Sequence, residues 1–530
     1  MVWPILPLVV EGKLQPALVS TAGAAALLWQ LGWSPLLGLA TLPFAGLLCR
    51  LRRWQLGAWT QLGGRCSWEM HKARAKVASV VAKQPGPIRM FKATTSNTFR
   101  PQQIGGREQS KARLDLSSFC HVIDVNLEGL WCDIEASATF ETFVSETLPL
   151  GTMPLVVPEL RTITVGGAIV GIGIESSSFR HGFFHDGLLE ADVLVASGEV
   201  LTVTPDGPHA ELFRALPNSL GSFGYLLRLR MRIQRAKPLL RLEKTWYSSP
   251  EALVKGVELA CGNEKADFVD AVALGEQGGM VLSASFAEKT PDGAEVMSYG
   301  LWPQFYPSLV HEGVEYLRTG EYIWRWDADW FWCTQIFPGL KWRAIRWLCG
   351  AEILRSDVYK AFNDSVIKHV LEPLGLNKNE ELIIQDIDIP VENSAQWIRD
   401  FLRVVPSGRI GKIKLTRPGL PVTVPIWLCP VKGTASPLMP QRPGHLYINF
   451  GFWDALEGPE TKGGMSAGRI NRALEQLCVD MGGRKTLYSA CYFTEEQLYE
   501  QYNGEVYKRV KELYDPTKRL RSWHDRLAKG

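Results

Sequence analysis

Residues 158–182 read PELRTITVGGAIVGIGIESSSFRHG, the most informative segment of the chain. Glycine allows the backbone to approach a ligand closely and to adopt positive φ. Backbone N–H groups around such residues can hold a diphosphate without a charged side chain. Turns and bulges also collect glycine, so the run gains its meaning from the segments around it. In this run, glycines alternate with small or β-branched residues, and one glutamate and three serines follow. The glycines are Gly166, Gly167, Gly171 and Gly173, and the polar residues are Glu175, Ser176, Ser177 and Ser178.

Segments on both sides extend this pattern. A loop of small polar residues at 92–98 precedes it. DVLVASGEV at 192–200 predicts two strands around a Ser-Gly turn, and GSFGYL follows at 221–226. In this order the segments resemble the FAD-binding domain of the vanillyl-alcohol oxidase superfamily, also called the p-cresol methylhydroxylase (PCMH) type.

Within that superfamily the chain resembles the delta-24-sterol reductase branch. The residues that carry this resemblance are VPELRTITVGGAIVGIGIESSSFRHG, VPIWLCP at 424–430 and LYSACY at 487–492. It runs from about Trp68 to the C-terminus. It implies an α+β fold, with a PCMH-type FAD-binding domain at 56–238 and an α/β cap (substrate) domain at 239–530. The C-terminal segment of the cap is expected to return to the flavin.

The resemblance also implies which residues hold FAD. The loop residues Thr94, Thr95, Ser96 and Asn97 would face the diphosphate. The glycine-rich segment would line the flavin with Thr164, Val165, Gly166, Gly167, Gly171, Gly173, Ile174, Glu175 and Ser176. The segment at 221–226 would border the adenosine half with Gly221, Gly224 and Tyr225. Residues 92–99 contain neither His nor Cys, which family members with covalent flavin usually place there. We therefore expect non-covalent FAD, although a bond to His181 stays open.

The N-terminus differs in kind from the rest of the chain. Residues 14–49 contain no charged side chain, and Arg-Leu-Arg-Arg follows at 50–53. About 20 apolar residues suffice to cross a bilayer. The sequence thus predicts a membrane anchor at 1–55, either a single transmembrane span or a hairpin. The basic cluster places the catalytic part in the cytosol, and we expect the endoplasmic reticulum.

Composition limits the remaining function classes. The 530 residues, 46% hydrophobic and 21% charged, are typical of a globular protein with room for two domains. A net charge of +3 gives no support to nucleic-acid binding. The ten cysteines stand singly, without metal-ligand spacing, so no metal is expected.

Local patterns predict several elements. A helix is expected at 65–83 and another at 251–261, a strand pair at 271–287, and a strand that enters a helix at 382–403. Fourteen aromatic residues lie in the stretch 299–347. They fit either a site for a flat apolar ligand or membrane surface, or the packed core of the cap.

Alkene reduction would need a hydride donor, an acid within hydrogen-bond reach and a dry apolar pocket. The candidates for the acid or its partner are Glu175, His181, Asp386, Lys485 and Tyr488. Each of them could instead have a structural role, such as capping, ion pairing or core packing. No second dinucleotide fingerprint is visible, which fits reduction of the flavin by NADPH without a Rossmann domain. The resemblance to the delta-24-sterol reductase branch implies reduction of the delta-24 side-chain double bond of a sterol. Oxidation of a small alcohol with O2 and a non-catalytic flavin protein stay open, as does the oligomeric state.

Overall fold

The computed structural model describes residues 67–83, 86–92, 113–299, 304–327, 355–356, 380–405, 415, 417–420, 425–457 and 468–527. The predicted anchor at 1–55, the loop at 94–97 and the aromatic residues between 328 and 347 lie outside these ranges. Among the described residues, no helix combines the length and apolarity that crossing a bilayer requires.

The part up to residue 235 is rich in short strands, as the sequence predicts. Its elements are α1 (Ser67–Lys83), β1 (Arg89–Phe91), β2 (Arg113–Asp115), β3 (Val122–Asn126), β4 (Trp131–Glu135), α2 (Phe140–Thr147), β5 (Thr152–Pro154), α3 (Val165–Gly171), α4 (Ser178–His181), β6 (Leu188–Leu194), β7 (Val200–Val203), α5 (Ala210–Ala215) and β8 (Tyr225–Arg235). The predicted strand pair around Ser197 and Gly198 is confirmed as β6 and β7.

A six-stranded sheet organises this part. Its order is β3-β4-β8-β6-β7, with β5 also paired to β8, and all its pairings are antiparallel. The glycine-rich run opens with the short helix α3, which lies against the end of β4. Gly166 explains this close approach, because a Cβ there would lie 2.8 Å from the carbonyl oxygen of Ala136.

The remaining elements build a second layer. They are β9 (Leu239–Tyr247), α6 (Pro250–Cys261), β10 (Phe268–Ala273), β11 (Gly279–Ala287), β12 (Val296–Met297), β13 (Gly313–Arg318), α7 (Thr319–Ile323), β14 (Glu380–Pro390), α8 (Val391–Val404), β15 (Ile426–Lys432), β16 (Leu446–Glu457), α9 (Arg469–Asp480), β17 (Arg484–Lys485), α10 (Glu495–Gln501), α11 (Gly504–Tyr514) and α12 (Trp523–Leu527). The predicted helix at 251–261, the strand pair at 271–287 and the strand-to-helix transition at 382–403 are confirmed.

A nine-stranded sheet spans this second layer in the order β12-β13-β9-β11-β10-β15-β16-β14-β17. The change from one sheet to the other falls between β8 and β9, which only residues 236–238 separate. Helices α6 and α8 cover one face, where Trp397 stacks on Phe450 with ring centroids 4.2 Å apart. The other face shares a continuous apolar core with the six-stranded sheet. Groups at that shared face are therefore shielded from water.

The C-terminal helices return to the first layer. The Trp523 ring stacks on Tyr507 at 4.1 Å between centroids, and its Nε1 donates to the carbonyl oxygen of Asn218 at 2.9 Å. Lys511 Nζ donates to the carbonyl oxygen of Ser222 at 2.7 Å. The loop at 218–224 thus rests on residues far along the chain.

Candidate functional site

Four segments meet at the C-terminal end of α3. Ile172, which ends the helix, has φ of +70°, an unusual value for a β-branched residue. A Cβ at Gly173 would lie 2.9 Å from Cγ of Pro158, and one at Gly171 would lie 3.6 Å from Cβ of Tyr488. Leu220 N–H donates to the carbonyl oxygen of Val170 at 2.8 Å. The turn at 171–173 is therefore the point where the predicted flavin segments and the C-terminal segment converge.

A buried ion bridge joins this turn to the nine-stranded sheet. Arg325 Nη2 donates to Glu175 Oε1 at 2.7 Å and to Asp270 Oδ2 at 2.8 Å. The three side chains are 1%, 5% and 0% exposed, so solvent does not screen these contacts. Burial alone would lower the pKa of the Arg325 guanidinium, but the two carboxylates raise it well above its usual value. Arg325 is therefore a fixed cation between the two layers.

The surroundings of Arg325 hold it in one orientation. Its guanidinium lies 4.0 Å from the centroid of the Tyr322 ring. The indole Nε1 atoms of Trp326 and Trp427 donate to Asp270 Oδ2 at 3.3 and 3.1 Å. Each of the three side chains of this bridge has one buried polar atom without a partner among the described residues: Glu175 Oε2, Asp270 Oδ1 and Arg325 Nε. Buried polar atoms are normally satisfied, so the unpaired ones here indicate a hydrogen-bond partner that a bound ligand would supply.

Glu159, which the sequence analysis did not select, lies between these groups. Its neighbour Pro158 packs on Gly173, and two residues later Arg161 donates from N and Nε to Asp327 at 3.1 Å each. Burial raises the pKa of Glu159 well above its ordinary value, and the Glu175 carboxylate raises it further. The available sequence signal was its place inside the glycine-rich stretch.

Asp386, which is buried, and Tyr488, which is half-buried, are both predicted candidates, and they form a pair. The Tyr488 hydroxyl donates to the Asp386 carboxylate. Burial raises the pKa of Asp386 to about 6, although this hydrogen bond and the charge of Lys485 act in the opposite direction. Burial also raises the pKa of Tyr488 well above its usual range. The pair can therefore keep a proton in a water-poor site near neutral pH.

Gly451 connects this pair to the ion bridge. A Cβ at Gly451 would lie 3.2 Å from Asp386 Oδ1 and 3.0 Å from Cε3 of Trp427, whose indole binds Asp270. We call these groups together the buried acid cluster: Glu159, Glu175, Asp270, Arg325, Asp386 and Tyr488. The sequence predicts three of its members, and Asp270, Arg325 and Glu159 complete it.

Two predicted candidates lie beside the cluster with other partners. Lys485 Nζ donates to Glu475 Oε1 at 2.8 Å and also to the carbonyl oxygen of Ala490, and Lys485 is fully buried. The half-buried His181 ring is hydrogen-bonded to the Gln234 side chain. Burial and then the charge of Arg180 lower the pKa of His181. Lys485 thus holds the segment that presents Tyr488, and His181 contacts the six-stranded sheet.

The N–H groups at the start of α3 are hydrogen-bonded to acceptors within the protein. Val165 and Gly166 donate to the carbonyl oxygens of Ala138 and Ala136 at 2.9 Å each, and Gly167 donates to Thr164 Oγ1 at 3.3 Å. These amides are therefore engaged within the protein.

Lys92 supplies the positive charge at this point. Its Nζ donates to Thr164 Oγ1 at 2.7 Å. Burial lowers the pKa of Lys92 to about 8, so the ammonium is still mostly charged at neutral pH. Lys92 opens the small polar loop at 92–98, whose predicted phosphate-binding residues Thr94, Thr95, Ser96 and Asn97 lie outside the described residues.

The other predicted cofactor residues divide into packing and turn positions. Ile174 is buried, Ser176 lies with its Oγ 3.4 Å from the Tyr322 hydroxyl, and Tyr225 donates from its hydroxyl to the carbonyl oxygen of Ile88 at 3.0 Å. A Cβ at Gly224 would lie 2.8 Å from the carbonyl oxygen of Leu194, and Gly221 has φ of +76°. Tyr225 and Gly224 thus pack against the segment at Ile88 and against β6, and Gly221 has the positive φ of a tight turn.

The described residues fit FAD at both ends of α3. The Lys92 ammonium, next to Thr164, suits a diphosphate. The unpaired Oε2 of Glu175 can accept from an N–H or hydroxyl of the cofactor. The arrangement therefore offers a cation at one end of the helix and a buried acceptor, with acids, at the other.

Comparisons with known proteins agree with this assignment. Residues 74–204 match the family model described as FAD binding domain. The Delta(24)-sterol reductase of Arabidopsis thaliana is 24% identical over 462 residues, covering 79% of this chain and 76% of that protein. The Homo sapiens Delta(24)-sterol reductase is 25% identical over 398 residues, covering 72% and 70%. Cytokinin dehydrogenase 8 of Oryza sativa subsp. indica is 33% identical over 149 residues, 28% of each chain.

The predicted resemblance is thereby confirmed: the chain carries an FAD-binding domain and is similar over more than two thirds of its length to the Delta(24)-sterol reductases.

Proposed function

We propose that this protein is an FAD-dependent oxidoreductase that uses NADPH to saturate the delta-24 side-chain double bond of sterols. The names of its relatives and the FAD-binding domain support the class of reaction. The single observation that carries the proposal is the Asp386–Tyr488 pair, which lies against Gly171 of the predicted flavin segment. An acid at that place is what reduction of an unactivated alkene requires.

The chemistry that FAD supplies when bound is transfer of a hydride to one alkene carbon. Lys92 and Thr164 would hold the diphosphate, and Glu175 would accept a hydrogen bond from the flavin half. Arg325 orients Glu175 through the contact at 2.7 Å. The shared apolar core excludes water from these groups, which strengthens each electrostatic contact.

The second alkene carbon needs a proton. The Tyr488 hydroxyl can supply it when Asp386 is protonated, because the Asp386 O–H then donates to the Tyr488 oxygen and leaves the phenolic proton free. The pKa of Asp386, about 6, keeps a fraction of this carboxyl protonated near neutral pH.

Membrane attachment is part of the same proposal. Residues 1–55 would anchor the protein in the endoplasmic reticulum with the catalytic part in the cytosol, which would give it access to a substrate dissolved in the bilayer. The supporting observation is the uncharged run at 14–49, followed by three arginines at 50–53. Flotation of the full chain with liposomes, compared with a chain lacking residues 1–55, tests the anchor.

An anaerobic titration tests the reaction. The full chain is purified in detergent, and the visible absorbance of its flavin is followed as NADPH and then desmosterol are added. Bleaching by NADPH and recovery with desmosterol are expected. Bleaching by a small alcohol, with recovery only after O2 is admitted, would refute the reductase and favour an oxidase.

A further inference from the structure

Glu159 differs from the other carboxyl groups of the buried acid cluster in its partners. Arg325 binds Glu175 and Asp270, and the Tyr488 hydroxyl binds Asp386. Within the described ranges of the chain, Glu159 has neither a cation nor a side-chain donor at hydrogen-bond distance. Its carboxyl accepts only from its own backbone N–H, and it is 7% exposed.

Charged or titratable side chains face Glu159 from five places along the chain. The segment after α3 contributes Glu175, the turn after α7 contributes Arg325, β15 contributes Cys429, β14 contributes Asp386 and the segment after β17 contributes Tyr488. One guanidinium thus stands among four carboxyl groups when Asp270 is included. An unpaired buried carboxylate is costly, and such a group avoids the cost by taking up a proton.

We propose that Glu159 holds the proton that the substrate double bond receives and passes it on through the Tyr488–Asp386 pair. Glu159 is adjacent to Pro158, which packs on Gly173, whereas Tyr488 packs on Gly171. The two groups therefore flank the same turn at 171–173. Glu159 acts through Tyr488 and is a positioning residue.

The step balances with one hydride and one proton for each double bond. The Tyr488 O–H bond breaks as the new C–H bond forms on one alkene carbon, while the hydride reaches the other. The Glu159 O–H bond then breaks to restore the Tyr488 hydroxyl, and Glu159 regains a proton from solvent. This role rests on the proposed function, whereas the presence of the proton on Glu159 does not.

Infrared spectroscopy of the holoenzyme tests where the proton resides. At about pH 8, Asp386 and Asp388 are both mostly ionised, with pKa values of about 6 and about 7, so the main carboxylic-acid C=O band that shifts in D2O would report Glu159. Glu159→Gln should remove this band, and Glu159→Asp should retain it. Glu381→Gln is the matched control, since Glu381 is equally buried but accepts from Asn471 N at 2.9 Å. A band that survives Glu159→Gln would overturn the proposal.

Two half-reactions then test the delivery. Glu159→Gln should slow the recovery of flavin absorbance with desmosterol about tenfold or more, while bleaching by NADPH keeps its wild-type rate. Recovery in the wild type should slow at high pH, where Glu159 ionises, and Glu159→Gln should lose this dependence. An unchanged recovery rate in Glu159→Gln would refute the transfer of a proton from Glu159 to Tyr488. If desmosterol restores no flavin absorbance even in the wild type, the proposed function is refuted. The infrared band then still reports whether Glu159 carries the proton.

Discussion

We expect replacement of Arg325 by methionine to lower the free energy of unfolding by about 3–5 kcal/mol at neutral pH. Arg325 Nη2 lies 2.7 Å from Glu175 Oε1 and 2.8 Å from Asp270 Oδ2, and all three side chains are at most 5% exposed. Methionine fills much of the same volume but has no charge. The loss is therefore dominated by two carboxylates that stay buried without their cation.

The pH dependence of this loss has a definite sign. Without Arg325, burial would raise the folded-state pKa values of Glu175 and Asp270 above their unfolded values near 4. The folded state would then bind more protons than the unfolded state, so the variant gains stability as the pH falls. The slope is about 1.4 kcal/mol per pH unit for each proton. The deficit should thus be smaller at about pH 5 than at about pH 8.

Urea unfolding followed by tryptophan fluorescence at several pH values measures both quantities. Arg403→Met is the control, because Arg403 is 74% exposed and pairs with Asp400 on the surface of α8. That change should alter the free energy of unfolding by no more than about 0.5 kcal/mol. A loss below about 1 kcal/mol for Arg325→Met, or a deficit that grows as the pH falls, would refute the reasoning.

Three further outcomes follow from single contacts. Tyr488→Phe should slow recovery of flavin absorbance with desmosterol about 100-fold without affecting bleaching by NADPH, whereas Tyr514→Phe should match the wild type; equal rates in both variants would contradict the donor role. Gly166→Ala should cost about 1–3 kcal/mol in urea unfolding, since its Cβ would lie 2.8 Å from a carbonyl oxygen, whereas Gly262→Ala, with 3.5 Å to the nearest atom, should be nearly neutral. The FAD-free wild type should gain thermal stability as the pH rises from about 8 to about 10.5, because folded Lys92 has then lost a proton that the unfolded chain keeps. Lys92→Met should lack this gain, and a flat wild-type profile would contradict the lowered pKa.

Local sequence patterns predicted the local structure well. The helix at 251–261 and the turn at Ser197 and Gly198 depend on neighbouring residues, so periodicity and turn chemistry were sufficient. The glycine-rich stretch was identified correctly as a place of close backbone approach, and Gly166 shows why. The pattern did not reveal that the run begins with the helix α3.

The ion bridge could not be predicted in the same way. Arg325 lies 150 residues from Glu175 and 55 from Asp270 along the chain, and strand order rather than local pattern brings them together. A lone arginine between two tryptophans was the available signal, but the aromatic residues around it fit several environments. Lys485 was a candidate acid or partner in the sequence, and only the fold shows that its ammonium pairs with Glu475.

The contact between Trp523 and the loop at 218–224 has a consequence for synthesis of the protein. A chain that grows from its N-terminus has completed every strand of the six-stranded sheet by residue 235. The carbonyl oxygen of Asn218, however, finds its indole donor only when residue 523 has been made. Between these two moments the nascent FAD-binding domain has all the strands of its sheet, whereas the loop at 218–224 gains this support only late in translation.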